Sequence, residues 1–243
     1  MKIYAKTDIG MVRQMNQDAY YISEENDAYK LCILADGMGG YTGGEIASRL
    51  ACITAAEYIK ENISNEKTYQ KEELLNLIQS AMEAANASVY EKSREEKELE
   101  RMGTTLEICL IYNNRVYIGH IGDSRIYRIR QEFMRKLTTD HSYVQKLIKD
   151  GTITKEEAIN HPKKNMLMKA LGCEEKIEPD ITVKGFNKDD IILICSDGLT
   201  NMIAEQAIFN IVKQAPEKAV ENLVEKAKEL GGYDNITVII ITN

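Results

Sequence analysis

The sequence predicts an α+β fold built mainly on antiparallel sheet, and three observations carry that prediction. Strand-like segments rich in Ile, Leu, Val and Tyr come in runs. Segments with helical spacing are inserted between those runs as pairs, not singly as in a parallel βαβ repeat. The chain of 243 residues has only 3 prolines and no Gly/Ser/Pro-rich stretch long enough to act as a linker, so residues 1–243 read as a single domain. A chain of this size can bury roughly 70–75% of its unfolded surface, enough for a core without disulfide staples.

Segments 2–7, 19–23 and 29–35 are separated by turn residues and read as strands, most simply a meander. From 45 to 63 the residues Ile46, Leu50 and Ile53 recur at helical spacing, and Leu74, Ile78, Met82, Ala85 and Val89 do so in the next segment; the two form an antiparallel helix pair. Strands return at 104–112 and 115–122 around Asn113-Asn114, a dipeptide that tolerates positive φ and suits a tight hairpin. Segments 125–130 and 133–138 form a further hairpin. Residues 141–169 are polar and helix-prone with a weak apolar pattern, which predicts a partly exposed excursion. Strands at 181–186 and 191–196 precede helices at 205–213 and at 216–230, the latter opened by Pro216, and 235–242 closes the chain as a strand.

Composition narrows the function. Asp and Glu number 38 against 31 Lys and Arg, a net charge of −7, which disfavours nucleic acid or an anionic membrane as partner. No stretch approaches the roughly 20 apolar residues of a membrane span, and the first residues lack a signal-peptide core, so the expected location is the cytoplasm. The 5 cysteines, Cys32, Cys52, Cys109, Cys173 and Cys195, show no CxxC pair or zinc spacing and read as reduced structural thiols. The mixed-charge run 91–101 reads as a solvated helix end, and the scattered methionines as core filler.

Four aspartates share one context. Asp36, Asp123 and Asp197 each follow an apolar strand and adjoin a glycine, and Asp234 lies just after Gly231-Gly232 and before a strand. Each is expected at a strand end where the backbone can turn sharply. A single Asp-Gly is usually a turn or a cap. Four in the same setting point instead to converging carboxylates, which repel one another unless cations compensate, and oxygen donors without His or Cys suit Mg²⁺ or Mn²⁺. The segment 36–44 holds 5 glycines before a helix, but it lacks a P-loop's Lys-Ser/Thr ending and the dinucleotide spacing, which excludes a nucleotide loop. Ser142 follows His141 without any GxSxG elbow, so a serine hydrolase is also excluded.

The ordered motifs Arg13-Gln14-Met15-Asn16-Gln17-Asp18, Asp36-Gly37-Met38-Gly39-Gly40, Gly103-Thr104-Thr105, Gly122-Asp123-Ser124-Arg125, Thr138-Thr139-Asp140-His141-Ser142, Ala170-Leu171-Gly172, Ser196-Asp197-Gly198-Leu199 and Gly231-Gly232-Tyr233-Asp234-Asn235-Ile236-Thr237-Val238 span nearly the whole chain. In these the sequence resembles the metal-dependent protein phosphatase 2C family in its compact bacterial form. The resemblance implies a central sandwich of two antiparallel sheets flanked by helix pairs, with a metal cluster in a cleft at one end. It implies two core Mn²⁺ or Mg²⁺ ions held by Asp36, Asp197 and Asp234, with Asp36 bridging and Gly37 lending its carbonyl. Asp18 would support metal-bound waters, Asp123 would belong to a third, weaker site to which Asp197 also contributes, and Arg13 would grip the substrate phosphate.

The implied activity is hydrolysis of phosphoserine and phosphothreonine in proteins by a metal-activated water, without a phosphoenzyme. The implied partners are phosphorylated proteins and a cognate bacterial Ser/Thr protein kinase, and the protein is expected to be a monomer. The chemistry is consistent: paired metals supply a nucleophile at neutral pH and neutralise phosphoryl charge, and Arg13 offers a planar, permanently charged fork. Two positions depart from the family pattern. Met38 and Tyr41 stand where many relatives place a histidine that protonates the leaving group, which leaves a metal-bound water as an alternative donor, and Lys169 stands where arginine is common. His120, His141 and His161 read as structural. Rival readings are a catalytically silent phosphoprotein-binding module, opposed by the intact Asp36, Asp197 and Asp234, and a metal-dependent phosphodiesterase or nuclease, opposed by the acidic charge. Residues 141–169 correspond to the family's variable flap, expected to select substrates.

Overall fold

The computed structural model describes residues 1–24 and 28–243, and the side chains of residues 40–42 lie outside the described residues. The strands are β1 (Lys2–Asp8), β2 (Asp18–Ile22), β3 (Lys30–Met38), β4 (Gly103–Thr104), β5 (Leu106–Tyr112), β6 (Arg115–Ile121), β7 (Arg125–Arg130), β8 (Phe133–Lys136), β9 (Asp180–Gly185), β10 (Ile191–Cys195) and β11 (Ile236–Thr242). The helices are α1 (Gly40–Asn62), α2 (Lys71–Glu95), α3 (Tyr143–Lys149), α4 (Lys155–Ile159), α5 (Asp197–Thr200), α6 (Glu205–Gln214) and α7 (Ala219–Glu229).

Every strand pairing is antiparallel. One sheet runs β1-β11-β10-β7-β8 and the other β2-β3-β5-β6-β9, with β4 added alongside β3. The α+β sandwich is therefore as expected, but the opening meander is not. β2 and β3 form a hairpin, while β1 pairs with β11 in the opposite sheet, Lys2 facing Thr242. Local pattern cannot reveal that choice, because β1's partner lies at the other end of the chain.

The apolar runs of the central strands follow from burial on both faces. Leu31, Ile33 and Ala35 of β3 pack under α1 and α2, whereas Cys32 and Leu34 point into the space between the sheets with Cys109, Ile118, Ile194 and Ile239. On the far side, Leu193 and Cys195 of β10 and Val238 and Ile240 of β11 pack against Leu223 and Val224 of α7. Three layers of apolar contact thus hold four layers of structure. The β5–β6 turn has Asn113 and Asn114 at φ 46° and 56°, the left-handed pair that a two-residue hairpin demands.

Two helix starts differ from the expected bounds. α1 begins at Gly40, within the glycine run, and Pro216 opens a 3₁₀ turn (Pro216–Lys218) ahead of α7. All five cysteines are unpaired; four are buried, but Cys173 is exposed and is no core thiol. None of the helices is long and apolar enough to cross a membrane among the described residues.

Candidate active site

Strand ends from both sheets meet at one end of the sandwich, where a cleft of about 700 Å³ is lined by Arg13, Asp36, Gly37, Met38, Thr105, Asp123, Asn165, Leu167, Asp197 and Asp234 among others. The four aspartates singled out by context therefore converge, with Arg13 beside them and Asp18 buried behind. Asp123 follows the end of β6, Asp197 follows the end of β10 and Asp234 precedes β11, as expected of residues at strand ends, whereas Asp36 lies within β3. β3 continues through Asp36 to Met38 because Gly37 and Met38 pair with Thr104 and Gly103 of β4. Asp197 is the first residue of α5 and accepts a hydrogen bond from Asn201 Nδ2 at 2.9 Å.

Asp36 is fixed through its main chain. Its N–H donates to Thr105 Oγ1 at 3.0 Å, and its carbonyl accepts from the Thr105 N–H and the Thr104 hydroxyl, both at 2.9 Å. The following Gly37 has no room for a side chain: a Cβ would collide with the carbonyl oxygens of Gly44 and Gln17. Asp18 pairs with Asp36 across β2 and β3. Its Oδ2 accepts from the hydroxyls of Ser196 at 2.8 Å and Thr237 at 2.7 Å, while its buried Oδ1 has no partner among the described residues.

Crowding of carboxylates raises their proton affinity. Burial first, and then repulsion from Asp197 and Asp234, lifts Asp18 to about 7 against the opposing hydroxyl bonds. Asp123 rises to about 8, through burial and then Asp197. Asp197 rises to about 6, through burial and then Asp234. Asp36 rises well above the ordinary carboxylate range, through burial and then Asp18 and Asp197. Such a cluster has a strong demand for cations, and Asp18 Oδ1 adds an unused buried acceptor behind it. No three His, Cys, Asp or Glu side chains among the described residues form a closed cage. A hard cation that keeps several of its waters and takes one or two carboxylates needs none.

Arg13 donates from Nη2 to Asp234 Oδ2 at 2.7 Å, with 51% and 35% of the two side chains exposed. An ion pair this wet is worth little, about 0–1 kcal/mol, and can exchange for another anion. Its loop is anchored by Asn235, the residue after Asp234. The buried carboxamide accepts from the Gln17 N–H at 2.8 Å and donates to the Ile9 and Met15 carbonyls at 3.0 and 2.9 Å. Side-chain satisfaction of loop backbone is invisible to periodicity, so only position beside Asp234 could have hinted at it.

The Thr138–Ser142 motif is a clamp. Asp140 accepts a forked pair from Arg125, Nε at 3.1 Å and Nη2 at 2.7 Å to Oδ2, and a further bond from Lys136 at 3.0 Å. Residues 141–169 are closed at their base by the Ser142–Leu167 bridge and the Tyr143 N–H to Met166 carbonyl bond of 2.8 Å, returning Asn165 and Leu167 to the cleft. Of the residues at the two departures, Met38 lines the cleft and the Tyr41 side chain lies outside the described residues. Lys169 is turned away, donating to the Glu178 carbonyl at 3.1 Å. No histidine lines the cleft among the described residues.

An antiparallel sandwich with an acid-rich, cation-demanding cleft and an exchangeable arginine at its mouth is the layout of a metal-assisted phosphate hydrolase. The chain belongs to the protein phosphatase 2C family, whose model matches residues 11–228. It is 39% identical over 239 residues to a serine/threonine phosphatase, stp, of Listeria innocua, covering 97% of this chain and 93% of that one. Among solved structures, a Streptococcus agalactiae serine/threonine phosphatase matches with TM-score 0.91 and 34% identity, over 100% of this chain and 99% of that one. The catalytic domain of the serine/threonine protein phosphatase PstP, solved in complex with two manganese ions, matches with TM-score 0.85 and 34% identity, over 98% of this chain and 96% of that one.

Proposed function

We propose that the chain is a Mn²⁺- or Mg²⁺-dependent protein phosphatase acting on phosphoserine and phosphothreonine, a single domain opposing a bacterial Ser/Thr kinase in the cytoplasm as a monomer. The observation that carries this reading is the convergence of Asp36, Asp123, Asp197 and Asp234 with Arg13 on one cleft. When bound, two metal ions supply a nucleophilic hydroxide at neutral pH and positive charge for the phosphoryl oxygens.

Asp36, held by three hydrogen bonds to its main chain, would be a ligand common to the two cations, with Asp197, Asp234 and the Gly37 carbonyl as their further protein ligands. Asp18, tied down by Ser196 and Thr237, keeps one oxygen for an incoming water. Asp123 is read as the ligand of a third, weaker ion. Arg13 leaves Asp234 to take two phosphate oxygens, a favourable exchange once cations neutralise Asp234. Leu167 and Asn165 bring residues 141–169 to the cleft wall, in reach of the polypeptide around the phosphorylated residue.

A phosphothreonine peptide and a single-stranded oligonucleotide, each assayed with Mn²⁺ and with chelator, test the reading. Phosphate release from the peptide alone, abolished by chelator and reduced at least about 10³-fold in Asp36→Asn, is expected. Cleavage of the oligonucleotide, or undiminished turnover in Asp36→Asn, would sink it.

A further inference from the structure

Glu107 and His120 face each other on β5 and β6, are 0% and 1% exposed, and take no part in lining the cleft. His120 Nδ1 lies 3.0 Å from Glu107 Oε1, and Nε2 lies 2.9 Å from the Thr139 carbonyl oxygen. A carbonyl can only accept, so Nε2 carries a hydrogen, while Nδ1 and the carboxyl share the remaining proton. In either arrangement the ring is held at both nitrogens, and Thr139 is held to β6.

Two residues on from Thr139, His141 lies against this ring with centroids 4.8 Å apart. His141 holds both polar groups of the Gly122 backbone: its Nδ1 accepts from the Gly122 N–H at 3.2 Å, and its own N–H donates to the Gly122 carbonyl at 2.7 Å. Gly122 has φ +118°, a conformation closed to other residues, and a Cβ there would strike the Thr105 side chain. The next residue is Asp123, which reaches the cleft. The other Glu107 oxygen accepts from the Thr105 hydroxyl at 3.3 Å, and that hydroxyl meets Ser124 Oγ at 3.0 Å. Both neighbours of Asp123 are thus tied to the same buried pair.

Burying a carboxyl and an imidazole is costly when apolar side chains of like size would pack as well. A role in orientation accounts for the expense. We propose that Glu107 and His120 are positioning residues for Asp123, holding the Gly122 turn through His141 and Thr139 so that the Asp123 carboxylate faces the cleft. The inference rests on the reading of Asp123 as a ligand for a weakly held cation.

The test measures Mn²⁺ binding, by the electron-spin signal of the free ion, in Glu107→Leu, Glu107→Gln, Asp123→Asn and the corresponding double variants. Glu107→Leu is expected to weaken the weakest class of Mn²⁺ binding about tenfold. Glu107→Gln, whose amide can donate to Nδ1 while Nε2 stays on Thr139, is expected to retain it, which a simple loss of charge would not allow. In the Asp123→Asn background Glu107→Leu should have no further effect. Equal binding by Glu107→Leu and the unaltered protein, or a loss that persists undiminished without Asp123, overturns the proposal. If Asp123→Asn itself leaves Mn²⁺ binding unchanged, the ligand reading is what fails, and the positioning role falls with it. A second measurement needs no variant: on titration with diamagnetic Mg²⁺ the ¹⁵N signals of the His120 ring in the whole chain should shift as the weakest site fills, and signals that stay fixed through that range overturn the coupling.

Discussion

Arg13 and Asn235 show how differently two polar side chains of one site are held. Among the described residues Arg13 has one ion pair, exposed and to Asp234, so removing it should leave the fold intact. Arg13→Ala is expected to raise KM for a phosphopeptide about 10- to 100-fold, the worth of charge-assisted bonds to phosphate, with a smaller change in kcat. An unchanged KM in steady-state kinetics would remove Arg13 from phosphate recognition. Asn235, in contrast, satisfies three backbone groups of the loop that carries Arg13. Asn235→Ala strands these groups in a buried setting and should cost about 3 kcal/mol in denaturant unfolding, together with loss of activity from a displaced Arg13. The aspartates could be picked out of the sequence because glycine and apolar strands flank them. Asn235, and Ser196 and Thr237 behind Asp18, could not be assigned roles, since their partners sit 178 to 226 residues away in the chain.

At the scale of elements, the Arg125–Asp140 fork joins the start of β7 to the segment leading into residues 141–169. Burial opposes the Asp140 charge, yet Arg125 and Lys136 outweigh it and hold its pKa below the ordinary carboxylate value. A depressed folded-state pKa stabilises the fold at every pH above the unfolded value near ~3.9, and the contribution is lost as pH falls through the folded pKa. Asp140→Asn should therefore destabilise the protein by about 3 kcal/mol at pH 7, and the difference from the unaltered protein should shrink as pH falls below the ordinary carboxylate value. A difference that stays constant in acid unfolding would mean the clamp contributes no charge-dependent stability. Hairpins β5–β6 and β7–β8 were legible from pattern and turn chemistry because their partners are adjacent in sequence. The place of β1 was not, since pairing with β11 joins opposite ends of the chain.

Over the whole molecule, the net charge of −7 is distributed so that several acids crowd one end of the sandwich. In the metal-free protein Asp197, Asp18 and Asp123 hold their protons to about 6, 7 and 8, and Asp36 is likewise raised. The unfolded chain releases those protons near pH ~4. The fold therefore binds the excess protons in between, and its stability, full below about pH 4, declines as pH rises toward 8. His141, whose pKa burial lowers, opposes the trend as a single group. With chelator present, the Tm is expected to fall from pH 5 to pH 8. Saturating Mn²⁺ should abolish the decline, because cations replace the protons. A chelated protein whose Tm is flat over that range would mean that the carboxylates do not share the cleft's field.

The class of fold, the hairpins, the two helix pairs and the aspartates of the cleft are legible along the chain, because apolar periodicity, turn residues and glycine-flanked acids are local features. Which sheet receives β1, how far β3 runs past Asp36, what anchors Arg13, and the meeting of Glu107 and His120 behind Asp123 emerge from packing alone. Each of these depends on backbone and side-chain partners brought together from distant parts of the chain, and a buried polar group takes whichever partner the packed sheets place within hydrogen-bond reach.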